Sequence, residues 1–130
     1  RETDLLTEYV RQALARTISH QYASGGKLRV ISLAPPVEQQ IADAVQNTHH
    51  GAFPVLEPQV AQNLFKNISR YAEREAMQGY TPVVLTSSRI RLPLRRLADR
   101  FMPNLVVLSF NEIAAGIHVE SVGMVNELES

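Results

Sequence analysis

Five arginines fall between Arg89 and Arg100 (Arg89, Arg91, Arg95, Arg96 and Arg100), against a single acid, Asp99. At about 100° per residue, Ile90, Leu94, Leu97 and Phe101 share one helical stripe. Arg89, Arg96 and Arg100 line one flank of it, and Arg91 and Arg95 the other. Two uses fit this pattern. The long side chains can cover the edges of a core while their heads stay in water, or the face can dock an acidic partner, since guanidinium groups make forked bonds to carboxylates. After Phe101 the chain has four acids and no Lys or Arg, so the partner can be the acidic end of a neighbouring copy. Nucleic acid is not expected, because the chain is not basic as a whole and no stacking aromatic accompanies the arginines. Arg89, Arg95, Arg96 and Arg100 are the candidate contact residues. Reversing Arg96 and Arg100 to Glu is expected to weaken assembly while leaving the melting temperature nearly unchanged.

Thr86-Ser87-Ser88 is the second candidate. It joins an apolar strand to a helix start, where free N–H groups and the helix dipole favour phosphate. No glycine opens the backbone there and no Walker lysine follows, so plain helix capping competes with a phosphate- or nucleotide-binding use. The histidines carry less. His49-His50 is a loop pair, His20 and His118 lie far off, and there is no His-Glu-x-x-His spacing, so no metal or other cofactor is expected.

The 130 residues suit one domain, or a domain with a short appendage. Lys plus Arg and Asp plus Glu are each 13, which gives no net charge to attract DNA or an anionic membrane. With no cysteine, disulfides, thiolate zinc sites and cysteine nucleophiles are excluded. No apolar run approaches the roughly 18 residues of a membrane span. The opening Arg1-Glu2, without a Met, suggests a piece of a longer protein.

The elements that must position these residues follow from periodicity. Thr3 or Asp4 caps an opening helix in which Leu6, Val10, Ala13, Leu14, Thr17, Ile18 and Tyr22 form one apolar face, ended by Gly25-Gly26. Leu28–Leu33 is a strand and Pro35-Pro36 starts the next helix, with Val37, Ile41, Ala44 and Val45 buried. Residues 47–51 read as a loop and 53–56 as a short extended piece. A long helix runs from Pro58 to Gly79, followed by a strand at 82–85, the arginine-rich helix to about Phe101, and a strand at 105–108. Ser109 and Glu112 have capping-box spacing for a single turn. A last strand spans 117–125, and the polar tail 126–130 is expected to fray. The fold class is α/β: a small, mostly parallel sheet flanked by helices, preceded by one helix of a helical subdomain. The boundary falls at Gly25-Gly26, dividing the chain into 1–26 and 27–130.

Several stretches resemble one family, the export-gate proteins of bacterial flagella and type III secretion injectisomes. They include Leu6-Thr7-Glu8-Tyr9-Val10-Arg11 with Asp4 and Leu14, Val84-Leu85-Thr86-Ser87, and Leu94-Arg95-Arg96-Leu97. Phe101, Pro103, Leu105, Val107-Leu108-Ser109 and Glu112-Ile113 match most strongly. Ser121-Val122-Gly123 in the last strand looks more like flagellar members. The resemblance implies the end of a cytoplasmic part that assembles as a nonameric ring and receives chaperone–substrate complexes. It implies no catalytic residue in this stretch, since energy comes from a separate ATPase and the proton gradient. Implied partners are other copies of the chain, other export-apparatus proteins, and export chaperones with their substrates. The implied location is the cytoplasmic face of the bacterial inner membrane, reached only through a membrane-embedded N-terminal half.

Overall fold

In the computed structural model, which describes residues 2–128, the opening segment is two helices rather than one: α1 (Glu2–Ala13) and α2 (Ala15–Tyr22). The break is at Leu14, whose N–H is shared between the carbonyls of Val10 and Arg11. The two helices answer to different surfaces. Ile18 and Tyr22 of α2 pack on the sheet, whereas α1 buries no residue and leaves Leu6 and Val10 exposed, as is Leu14 at the break. The apolar face expected along the whole segment is therefore covered only in its second half.

Strands β1 (Lys27–Leu33), β4 (Val83–Thr86), β5 (Val106–Ser109) and β6 (His118–Val125) form one sheet in the order β5-β4-β1-β6, with every pair parallel. Helices α3 (Pro35–Ala44), α4 (Pro58–Met77) and α5 (Ser88–Phe101) cover one face around Ile31, Ile41, Leu64, Ile68, Val84 and Leu94. The other face, with Leu28, Val30, Val83 and Leu108, is covered by α2 and the loops around Ile113 and Ile117. Short apolar strands with both faces buried are what parallel crossovers require. The result is the expected α/β layer.

Residues 45–52 differ from the expectation, whereas Phe53 and Pro54 are extended as expected. Val45–Thr48 (β2) and Gly51–Pro54 (β3) form an antiparallel hairpin turning on His49-His50. Gly51 has φ +89°, a conformation that side chains with a Cβ resist. Gln46, Asn47 and Thr48 show no apolar alternation, so only packing of Phe53 beneath α5 reveals the strand. Ser109 and Glu112, three residues apart, form half of the capping box that their spacing suggests. Glu112 accepts from the Ser109 N–H at 2.9 Å and closes a 3-10 turn at Phe110–Glu112.

The tail is also better anchored than its polarity suggested. Leu128 is fully buried in the main core, and its carbonyl accepts from Asn63 Nδ2 at 2.9 Å. Glu129 and Ser130 lie outside the described residues. At the far strand, Gly123 is a close-packing position, since a Cβ there would lie 2.3 Å from the Tyr71 ring.

Candidate docking site

The arginines of α5 divide by what they touch. Arg91, 3% exposed, donates through Nε and Nη2 to the Glu8 carboxylate at 3.1–3.2 Å and through Nη1 to the Val107 carbonyl at 3.3 Å. Arg96 forks onto Asp4 at 2.9 and 3.0 Å and also donates to the Ala52 carbonyl at 3.0 Å. The hydrogen bond to Asp4 raises the Arg96 pKa above its ordinary value, against a smaller opposing effect of burial.

Arg95 turns back on its own end of the helix. It donates to Asp99 at 3.0 Å, to the carbonyls of Met102 and Pro103 at 3.4 and 3.3 Å, and to the Leu105 carbonyl. These bonds tie the segment that follows α5 back onto the helix.

Arg89 and Arg100 remain exposed. Arg89 reaches Gln39 at 3.3 Å, and Arg100 lies 4.4 Å over the Phe53 ring. The acidic groups met by α5 thus include two from the chain's own first helix. Asp4, Glu8 and Arg11 recur at i, i+4 and i+7, which puts them on one side of α1. Arg11 completes the row by pairing with buried Glu112. That spacing is the sequence signal for the contact, overlaid by the apolar stripe of the same segment.

This arrangement corrects one expectation. Reversing Arg96 to Glu would set two carboxylates face to face and strip the Ala52 carbonyl of its donor, so it cannot leave stability unchanged. Of the four candidate residues, Arg89 and Arg100 keep free faces, while Arg95 and Arg96 are spent within the chain. Between α1 and the first turns of α5 lies a groove of about 330 Å³, walled by Leu5, Tyr9, Leu92 and Pro93 with Arg89 at its rim.

At the Thr86-Ser87-Ser88 turn, the position a phosphate would take is held by the chain itself. Glu38 accepts from the Ser87 N–H at 3.2 Å, and Thr86 Oγ1 turns to the Ser87 carbonyl at 3.1 Å. A carboxylate at the helix N-terminus already answers the dipole. All four histidines are exposed, and among the described residues no group of His, Asp and Glu is arranged to hold a metal ion. Nor is any described helix long and apolar enough to cross a membrane.

Taken together, fold and surfaces define a parallel α/β layer with an ionically fastened N-terminal helix and an arginine-edged groove beside it. The chain belongs to the FHIPEP family, the type III export-gate proteins, which it matches over residues 1–118. It is 39% identical over 126 residues to the flagellar biosynthesis protein FlhA of Bacillus subtilis, covering 96% of this chain and 19% of that protein. Against the invasion protein InvA of Salmonella typhimurium the figures are 34% over 116 residues, 88% and 17%. The match to the solved C-terminal domain of InvA has a TM-score of 0.75 at 31% identity, covering 92% of this chain and 37% of that one. For the nonameric SctV-C of EPEC the TM-score is 0.79 at 25% identity, covering 96% and 37%. This chain therefore spans about a fifth of the length of the curated relatives it matches.

Proposed function

We propose that this chain works as the closing part of the cytoplasmic region of a flagellar-type export gate, a non-catalytic module that contributes to ring assembly and to docking of soluble export components, including chaperone–substrate complexes. The observation that carries this reading is the match to a chain whose structure is that of a nonamer. The Chlamydia pneumoniae CdsV protein, solved in complex with CdsO, supports it, with a TM-score of 0.74 at 28% identity over 92% of this chain. On this reading the module lies at the cytoplasmic face of the inner membrane and reaches the bilayer only through other parts of the protein.

Residues 1–26 close a preceding helical unit, and 27–130 form the α/β subdomain. The exposed Leu6, Val10 and Leu14 support that division, because they give the opening segment an uncovered apolar side for the rest of such a unit. Docking falls to Arg89 and Arg100, with Arg95 and Arg96 holding the shape of the face between them.

The test is ring assembly of the complete cytoplasmic region with Arg89→Glu and Arg100→Glu together, followed by sedimentation and by capture of a chaperone–substrate complex. Both readouts should fall while the melting temperature holds. Normal rings and normal capture in the double variant would remove these arginines from the docking role. A parent region that forms no ring would overturn the assembly reading itself.

A further inference from the structure

The sheet ends in two unequal edges. β5 is four residues long, whereas β6 is eight and pairs only with β1 among the described residues. Natural sheets blunt a long edge with lysine, proline or a covering element, because its unpaired N–H and C=O groups invite another strand. β6 contains neither Lys nor Pro and leaves Val119 and Met124 exposed; its blunting is limited to a bulge at Val122 and to the Tyr71 hydroxyl, which donates to the Met124 carbonyl at 3.4 Å.

Helix α4 runs antiparallel alongside this strand. Asn63 meets Leu128, Tyr71 packs on Gly123, and Arg29 joins Glu75 of α4 to Glu120 of β6. Lys66, Arg70 and Arg74 follow at i, i+4 and i+8 on the same helix. All three are exposed, and none forms an ion pair with a described residue. Arg70 and Arg74 bracket the Tyr71 ring at 5.5 and 5.6 Å, and Arg70 also donates to Asn67 at 3.0 Å. Lys66 and Arg70 line a groove of about 380 Å³ bounded opposite by Met124 and Val125. The nearby acids are Glu75 and Glu120, both paired with Arg29, Glu73, which accepts from Ser69 Oγ at 3.2 Å, and Glu127 at the end of the groove.

We propose that the β6 edge and the Lys66–Arg70–Arg74 flank form a docking groove for an extended acidic segment of a partner protein, which joins the sheet beside β6 as a fifth strand. The spacings agree. Cations four residues apart on a helix repeat every ~6 Å, and alternate residues of a strand repeat every ~6.6 Å. Main-chain pairing supplies affinity with little regard to sequence, and acids at alternate positions supply the selection. Val122 is an extra residue in the β6 register, so the segment pairs on one side of that bulge at a time. The groove lies at the opposite edge of the sheet from β5, on which α5 packs, so it stands apart from the Arg89–Arg100 face and does not depend on the export-gate reading.

The probe is a labelled, end-capped octapeptide alternating Val and Glu, titrated into the 130-residue chain by fluorescence anisotropy. Saturable binding that weakens with salt is expected. Lys66→Glu with Arg70→Glu should lower affinity at least about tenfold. The same peptide N-methylated at every residue should not bind, because neither of its edges can donate. Circular dichroism confirms folding of the charge-reversed chain, and Lys66→Ala is the milder second variant. No binding, equal binding of a Val–Lys peptide, or no loss in either variant overturns the proposal. Full binding of the N-methylated peptide also overturns it, leaving a contact by charge alone. Capture by phosphatidylserine vesicles without peptide binding overturns it in favour of a lipid surface.

Discussion

The Arg96 guanidinium and the Asp4 carboxylate, 92 positions apart, face each other through two parallel hydrogen bonds of 2.9 and 3.0 Å. Arg96 also fills the space beside Gly51, where a Cβ would come within 2.7 Å of its Nη1. A double-mutant cycle of Asp4→Ala and Arg96→Ala, read by urea unfolding, should return a coupling of about 1 kcal/mol, as suits a partly exposed charged fork. The sign of its pH dependence follows from the raised Arg96 pKa. Stabilisation is fully present below the ordinary arginine value and is lost only as pH climbs through the raised one. The coupling should therefore be flat from about pH 7 to about pH 10. A fall across that range would refute the assignment.

Arg91 and Glu8 are a different case, because side-chain exposure is only 4% and 13%. Removing either partner leaves a charge in the interior. Arg91→Met or Glu8→Leu alone should cost about 3 kcal/mol. The double variant should recover most of that loss, since two apolar side chains leave no stranded charge. Chemical denaturation of the three variants checks the order. If the double variant is as unstable as the worse single one, the pair holds α1 by shape rather than by charge.

Leu128→Ala should destabilise the chain by roughly 2–4 kcal/mol, as for other fully buried leucines. A freely frayed tail would show no change in melting temperature.

Inorganic phosphate and nucleoside triphosphates should not raise the melting temperature, because Glu38 occupies the Ser87 N–H. A micromolar site at a hundredfold excess of ligand would add about 2.7 kcal/mol, well within reach of a thermal-shift assay. Glu38→Ala frees that N–H and is the control in which weak stabilisation by phosphate is expected.

The strands and helices legible in the sequence were those whose burial is written in a period. Val83, Val84 and Leu85 are apolar on consecutive positions because both sides are covered, and Val37 and Ile41 recur at helical spacing because one side is. The hairpin at 45–54 was illegible because tertiary contact, not local pattern, makes it extended. Leu128 was hidden for a related reason, since one apolar residue among polar ones has no period. At the candidate site, the arginine cluster was visible as composition, but its division was not. Arg91 and Arg96 meet partners more than 80 positions away, and such pairings appear only when α1 is laid across α5.

The fastening of α1 has a mechanical consequence. The helix has no buried side chain, so tension applied to it is not shared by an apolar interface around it. It passes through the guanidinium forks of Arg91 and Arg96 and the Arg11–Glu112 pair. From Arg91 it runs on to the carbonyl of Val107, and from Glu112 to the N–H of Ser109, both on β5. A pull or twist on the first helix is thus divided between α2, to which Leu14 joins it covalently, and the border strand β5.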